Sequence, residues 1–235
     1  GSMTIIEGEI LTEELVEVEN VMVELENMSS SSMVMDMTSG NGSYAFSDVA
    51  FYDEYDIAPL NNDNPLNGVS TLDLVLIQRH ILGQEPLATP YKLIAADVND
   101  SGSVTAIDLI QLRKLILGIY QELPENTSWV FVPESHEFTD PVMPWGFPKS
   151  LHYNALYNAQ TQANFVGVKV GDVNSSAAVN FARQADVDIE TRSSETLYIS
   201  SAEVEVSHAG ELVAVPFIAD KDMDIYGLQF TIEFE

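Results

Sequence analysis

The sequence predicts a mainly β protein, a β-sandwich with an α-helical insertion that carries two loop–helix repeats. Short runs with a two-residue alternation fill positions 4–57, and further strand-like, apolar runs occur at 129–132 and 165–170. A two-residue alternation is typical of half-buried strands. Between these runs, a helix-like segment at 71–82 is repeated at 106–117. Internal duplication of this kind indicates two copies of one structural unit.

The strand candidates occur on both sides of the helices. Val21, Val23 and Leu25 alternate with Met22 and Glu24, and the turn signal Asn41-Gly42 precedes another alternating run. Residues 4–57 alone supply too few strands for a compact sandwich. We therefore expect residues 4–57 and 121–173 to form one split sandwich around a module at 58–120. The alternative is a linear order in which 121–173 wraps the helices alone.

The duplicated unit has the same helix start and stop signals in both copies. A polar turn and a Val lead to a Ser or Thr cap candidate, then an Asp, an amphipathic run and a terminal glycine, at Gly83 and Gly118. A glycine just past the last helical residue is a common C-terminal stop. The pattern predicts helices over 71–82 and 106–117.

The second copy begins with a twelve-residue segment that has the spacing of a calcium loop. Calcium takes six to eight oxygen ligands, and such loops supply them at positions 1, 3, 5, 7, 9 and 12, with a glycine at position 6. Gly102 occupies position 6. The six ligand positions hold Asp97, Asn99, Ser101, Ser103, Thr105 and Asp108. The alternative is a metal-free capped turn before a helix.

Together with the duplication, this loop resembles the type I dockerin repeat pair over residues 60–120. The resemblance implies two calcium sites and docking onto a cohesin domain. The first copy departs from the family pattern, since Asp73 aligns with Asp108 but Asn67 replaces the glycine. Its ligand candidates are Asn62, Asp63, Asn64, Leu66 and Asp73, with Asp63 an alternative to Asn62. A vestigial turn without metal is the other interpretation.

The resemblance also implies a partner-binding surface at loop positions 10 and 11 and on the outer helix face. The matching residues are Thr71, Leu72, Gln78 and Arg79 in the first copy, and Ala106, Ile107, Arg113 and Lys114 in the second. Three of the nine basic residues fall here. A solvated helix face is the alternative.

Two further resemblances concern the flanks. The segments Asn41–Phe46 and Tyr55–Pro59 resemble a carboxypeptidase-regulatory or Cna B-type sandwich. Residues 174–195, rich in Ser, Ala, Asn and Asp, are typical of a linker, and residues 196–235 resemble the first strands of a cohesin. Asp172-Val173-Asn174 repeats Asp97-Val98-Asn99, but Ala177 and Arg183 would then occupy positions 6 and 12. We expect it to be the linker's beginning.

Composition restricts the function. With 37 acidic and 9 basic residues, a net charge of −28 disfavours nucleic acid and anionic membranes as partners. No apolar run is long enough to span a bilayer, and the absence of cysteine excludes disulfides. The four histidines are scattered and no nucleophile or phosphate-binding motif occurs, so we do not expect an enzyme.

We therefore expect a calcium-binding assembly or adhesion module of a secreted or cell-surface protein, with a cohesin-like partner. The alternatives are a calcium-stiffened stalk without a specific partner and a non-catalytic part of a carbohydrate-active enzyme. Gly1-Ser2-Met3 is typical of an expression scar, and the chain stops within a strand-like pattern, as expected of a fragment.

Overall fold

The computed structural model describes residues 2–179, 199–201 and 216–220. The chain forms two compact units, Gly1–Asp186 and Val187–Glu235. In the described part, the first unit has two four-stranded sheets and three helices. Its elements are β1 (Met3–Leu11), β2 (Met22–Asn27), β3 (Ser32–Met37), β4 (Ser43–Ala50), β5 (Tyr55–Leu60), α1 (Thr71–Ile81), α2 (Pro90–Ala96), α3 (Ala106–Ile116), β6 (Trp129–Pro133), β7 (Leu151–Tyr153) and β8 (Phe165–Lys169).

Each sheet combines strands from before and after the helices. One sheet has the order β4-β1-β8-β6 and the other has the order β3-β2-β5-β7. β1 pairs with β4 antiparallel and with β8 parallel, through Ile10–Phe165 and Leu11–Val166. β7 extends the second sheet by pairing with β5. The helices therefore lie in the sequence between two groups of strands, β1–β5 and β6–β8, and each sheet contains strands from both groups.

Alternation along β6 lets it serve two cores. Trp129 and Phe131 lie in the core between the sheets, together with Ile6, Ile10 and Phe165. Val130 and Val132 lie in a second core, against the helices. Because side chains of a strand alternate between faces, a strand covered on both faces is apolar throughout. All five residues of β6 are accordingly buried.

The two long helices begin and end as their sequences predict. Ser70 and Thr105 are the N-caps, each in a capping box with the Asp three residues later. Gly83 and Gly118 follow the C-caps with positive φ. The short helix α2 was not predicted, although Thr89 caps it and Pro90 occupies its first turn, which are standard start signals.

The predicted linker needs correction at its N-terminal end. The amide of Asn67 bonds to both backbone groups of Ala178, and Val179 packs against the sandwich core. Residues 174–179 therefore belong to the first unit, because their small polar groups make hydrogen bonds rather than stay solvated. The rest of the predicted linker, 180–195, lies outside the described residues.

Little of the second unit is described. β9 (Ile199–Ser201) and β10 (Phe217–Ala219) pair antiparallel. The segments that resemble a cohesin, around Leu197, Leu212 and Leu228, lie otherwise outside the described residues. In the part of the chain that is described, no helix is long and apolar enough to cross a membrane.

Candidate calcium site

The start of α3 holds one carboxylate at the centre of the predicted loop. Asp108 is 0% exposed, and its Oδ2 accepts hydrogen bonds from the Thr105 N–H (2.8 Å) and hydroxyl (3.1 Å). The bond from the Thr105 N–H is one half of the capping box that begins the helix, and in the other half the Thr105 side chain accepts from the Asp108 N–H. Its Oδ1 accepts from the Asn99 N–H at 3.2 Å. The same side chain thus caps the helix and turns one oxygen toward the loop.

Asp97 shapes the other side of the loop. Its Oδ1 accepts from the Ser101 N–H at 2.9 Å, and its Oδ2 accepts from the Gly102 N–H at 2.8 Å. Gly102 has φ +76°, which explains the glycine that the sequence places at position 6. Asp100, also in the left-handed region at φ 52°, points outward to an ion pair with Lys149 at 2.6 Å.

The side chain of Asn99 reaches the point where the loop oxygens converge. With nitrogen turned inward, its amide would donate to Asp108 Oδ1 (2.9 Å), Asp97 Oδ1 (3.0 Å) and Ser101 Oγ (2.8 Å). With oxygen turned inward, the amide meets only other oxygens there. Such a group of oxygens is repulsive unless a cation lies among them. Carboxylate, amide, hydroxyl and carbonyl oxygens are the ligands that calcium takes, so this donor set fits the ion.

Burial makes the carboxylates of this loop costly without a counter-charge. It raises the pKa of Asp97, and the charges of Asp108 and Asp100 raise it further, against the lowering effect of the two backbone hydrogen bonds. Within the described residues, no three His, Cys, Asp or Glu side chains form a metal cluster. The candidate site instead combines two carboxylates with neutral oxygens, of which Ser101 Oγ lies 3.3 Å from the Ser103 carbonyl.

The residues predicted for the first loop are engaged elsewhere. Asn62 accepts from the Ser128 N–H at 2.8 Å and donates to Glu122 at 3.4 Å. The Asp63 carbonyl accepts from the Ser128 hydroxyl at 2.6 Å. Asn64 and Leu66 are exposed. These contacts anchor the segment to the residue before β6 and do not gather it around Asp73.

Asp73 instead contacts the Asp172-Val173-Asn174 segment, which the sequence predicts to be the beginning of a linker. It is 0% exposed, its Oδ2 accepts from the Ser70 N–H at 2.8 Å, and its Oδ1 accepts from the Val173 N–H at 3.0 Å. The carboxylate of Asp172 next to Val173 is also buried. The signal in the sequence was the repeated Asp-Val-Asn. The sequence alone does not predict a calcium loop there, because a contiguous twelve-residue loop starting at Asp172 would end at Arg183 and not at an acid.

The region around this site is similar to a known family of protein domains. Residues 60–117 match the model of the Dockerin type I domain. The match spans both loop–helix repeats and covers less than half of the chain. Dockerin type I domains bind calcium and mediate protein assembly, which agrees with the donor set around Asn99. No curated protein matches the chain.

Two solved structures show local likeness. The major pilin subunit BcpA of Bacillus cereus is 15% identical, with a TM-score of 0.22 over 25% of this chain and 18% of the pilin. The pilus adhesin RrgA of Streptococcus pneumoniae is 16% identical, with a TM-score of 0.23 over 26% of this chain and 7% of the adhesin. The match spans less than a fifth of the length of either protein.

The predicted partner-binding residues of the dockerin-type module differ between its helices. On α3, Ala106, Ile107 and Arg113 are exposed, whereas Lys114 is half-buried against Tyr120, donating to its hydroxyl at 3.2 Å. On α1, Thr71 and Leu72 are half-buried, and Arg79 pairs with Glu85 at 3.1 Å. The two copies are thus alike in backbone but not in the surfaces they expose.

Proposed function

We propose that this chain is a calcium-stabilised docking module of a secreted or cell-surface protein, that its partner is a cohesin-like domain, and that it is not an enzyme. The observation that carries the proposal is the convergence of Asp97, Asn99 and Asp108 at the start of a helix within the dockerin match. A cation there would hold the loop against the first turn of α3. The orientation of that helix's outer face would then depend on the ion.

The exposed face of α3 supplies the docking surface. Ile107 and Ile110 are 56% and 52% exposed, and Leu117 continues the stripe at 47%. Arg113 lies on the same side and is exposed. An apolar stripe with an arginine matches the usual make-up of interface hot spots. In a chain with 37 acidic and 9 basic residues, an exposed arginine also gives this face a positive charge that few other positions can supply.

A second candidate function is a calcium-stiffened stalk with no specific partner. One observation favours it: Val130 and Val168 of the sandwich sheet share a core with Ile77 and Leu112 of the helices. The helical module therefore packs directly against the sandwich through a shared hydrophobic core and is not joined to it only by a linker. Rigid attachment suits a load-bearing element as well as a docking element, so binding must decide between them.

The deciding experiment measures binding of the full chain to a panel of purified cohesin domains, by calorimetry, in calcium and in excess chelator. We expect at least one cohesin to bind in calcium and to be released by the chelator. Ile107→Asp should weaken that complex by roughly 30-fold, as a hot-spot loss of ~2 kcal/mol implies. Leu82→Asp, at the similarly exposed C-cap of α1, is the control. Failure of every cohesin to bind would leave the stalk function.

A further inference from the structure

We propose that the first repeat has a discontinuous calcium site, in which residues 172–177 supply the first half of the loop and residues 68–73 supply the second half. The inference rests on the calcium binding proposed above and assigns the residues of a second site. It replaces the contiguous loop at 62–73 that the dockerin resemblance implies.

The two segments reproduce the ligand series of the 97–108 loop. Asp172, Asn174 and Ser176 have the types and spacing of Asp97, Asn99 and Ser101. The helix side is in register too, because Gly68, Ser70 and Asp73 precede and begin α1 as Ser103, Thr105 and Asp108 precede and begin α3. The chain is therefore cut between loop positions 6 and 7, and each half retains the donor types that calcium requires.

The contacts at the N-terminal half match those of the intact loop. Asp172 Oδ1 accepts from the Ser176 N–H at 3.1 Å, as Asp97 Oδ1 accepts from Ser101. Asp172 Oδ2 accepts from the Ala177 N–H at 2.7 Å, as Asp97 Oδ2 accepts from Gly102. Ser175, like Asp100, has a positive φ. The Ala177 N–H therefore donates to the carboxylate as the Gly102 N–H does, although Ala177, unlike Gly102, does not have a positive φ.

The two halves also meet each other as the intact loop does. Ser176 Oγ donates to the Gly68 carbonyl at 2.9 Å, and its counterpart Ser101 Oγ donates to the Ser103 carbonyl at 3.3 Å. Asp73 accepts from the Val173 and Asn174 N–H groups, and Asp108 accepts from Asn99. A methyl group on Gly68 would lie 2.6 Å from Asp172 Oδ2, so only glycine lets the segments approach this closely.

A buried lysine lies beside the two carboxylates of this site. Asp73 and Asp172 are both buried, with 0% and 6% of their surface exposed. Lys169 lies near both carboxylates, but its Nζ donates to the Pro65 and Val170 carbonyls, at 2.9 and 3.2 Å. It therefore offsets part of the negative charge without taking the position of an inward ligand.

A cation at this site would act as a clasp. It would hold residues 172–179 against the first turn of α1. Residues distant in sequence would then be held by one ion, which makes the order of this segment depend on calcium. If the ion were bound by a contiguous loop at 62–73, the order of residues 172–179 would not depend on calcium.

The test is calcium titration of the full chain by calorimetry, with amide hydrogen exchange as a second readout. We expect two sites in the unmodified chain, one in Asp172→Asn, one in Asp97→Asn and none in the double variant. Asp63→Asn and Asn64→Ala, which alter the contiguous candidate loop, should retain two. Chelation should increase exchange at 172–179 in the unmodified chain, because the clasp is released.

Each outcome separates the two proposals. No calcium binding at all would refute the proposed function and this inference together. Two sites retained in Asp172→Asn would refute the discontinuous site alone, as would loss of a site in Asp63→Asn or Asn64→Ala. A single site, lost in Asp97→Asn and unaffected by Asp172→Asn, would also refute it while leaving the 97–108 site in place. Unchanged exchange at 172–179 on chelation would refute the clasp.

Discussion

The backbone N–H of Trp129 donates to the carbonyl of Asn61 at 3.2 Å, although the whole helical module lies between them in sequence. Asn61 follows β5 and Trp129 begins β6, so this bond joins the two ends of the insertion. Insertions are tolerated in a domain when their ends lie close together at its surface. The sandwich is therefore built across the module, and its strands depend on residues that come after it.

This dependence predicts that an N-terminal fragment ending at Leu60 does not fold. In that fragment β1 would lose its partner β8, β5 would lose β7, and Trp129, Phe131 and Phe165 would leave the core between the sheets. Few short strands with an open core are not independently stable. A fragment of residues 1–186 should give a native-like circular dichroism spectrum and dispersed amide resonances. A fragment of residues 1–60 should show neither. A cooperatively folded 1–60 fragment would contradict the split sandwich.

A second prediction is that chelation lowers thermal stability through the 97–108 loop. An ion that binds only the folded state stabilises it by about 2.7 kcal/mol at a hundredfold excess over Kd. For a unit of this size that corresponds to roughly 5–10 °C in Tm. Calorimetry of the full chain in calcium and in chelator measures the shift.

Asp108→Ala is the variant for this measurement, because it removes the loop's closing carboxylate. It should reduce the shift to the share of any remaining site, and it should also cost about 1 kcal/mol through the lost capping box. Glu85→Ala, at an exposed carboxylate paired with Arg79, is the matched control. An equal chelator response in Asp108→Ala and in the unmodified chain would show that this loop does not bind the stabilising ion.

A third prediction concerns alkaline pH. Burial, with a smaller contribution from Tyr153, raises the pKa of the Tyr44 phenol, which donates a hydrogen bond to the Ala163 carbonyl. The folded state therefore keeps this proton where an unfolded tyrosine loses it, so its stabilising contribution is complete below pH 10 and is lost above it. The free energy of unfolding should fall as pH rises beyond 10.

Denaturant titrations of Tyr44→Phe between pH 8 and 11 measure this effect. The variant should lose about 1 kcal/mol at pH 8, for the missing hydrogen bond, and should show a shallower fall above pH 10. Tyr157→Phe, at a 67% exposed ring, controls for removal of a phenol. Identical slopes in Tyr44→Phe and the unmodified chain would contradict the assignment.

A fourth prediction tests the basic residues of α3. In Arg113→Glu with Lys114→Glu, cohesin binding should weaken, chiefly through a slower association rate, because exposed charges steer encounter. Calcium affinity should not change, since neither side chain belongs to the loop. Arg79→Glu on α1 is the control, because Arg79 is already paired with Glu85. Equal binding by the double variant would show that these residues are only a solvated face.

Local signals explain which elements could be predicted. The helices α1 and α3 were predicted to within one residue because Ser70, Thr105, Gly83 and Gly118 encode their ends in adjacent sequence. The 97–108 loop is equally local, since all of its ligand candidates fall within twelve consecutive positions. β7 was missed because three residues, Leu151–Tyr153, are too few to show an alternation.

The arrangement around Asp73 had no such signal. Its hydrogen-bonding partner Val173 is 100 positions away, and the packing of α1 against Val168 and Val170 in the second core brings the two together only in the folded chain. Composition also misled at residues 174–179, because small polar residues that satisfy one another's hydrogen bonds look like a solvated linker. A loop divided between two segments is invisible to any rule that requires contiguous spacing.

The last prediction uses Trp145 as a probe of the 97–108 site. Trp145 lies beside the loop, since a methyl group on Gly102 would be 3.8 Å from its Cγ and 3.9 Å from its Cβ. Terbium is a hard cation that takes the oxygen ligands of calcium, and indole excitation transfers to it only at short range. Terbium added to the chain should therefore luminesce on excitation of tryptophan, and calcium should quench the signal by competition. Trp145→Phe should abolish most of the emission while leaving calcium affinity within about threefold, because an aromatic side chain still lies beside the loop. Asp97→Asn should abolish emission by removing the ion, whereas Asp172→Asn should leave it unchanged. Full emission in Trp145→Phe, or none in the unmodified chain, would show that the ion does not bind beside this ring.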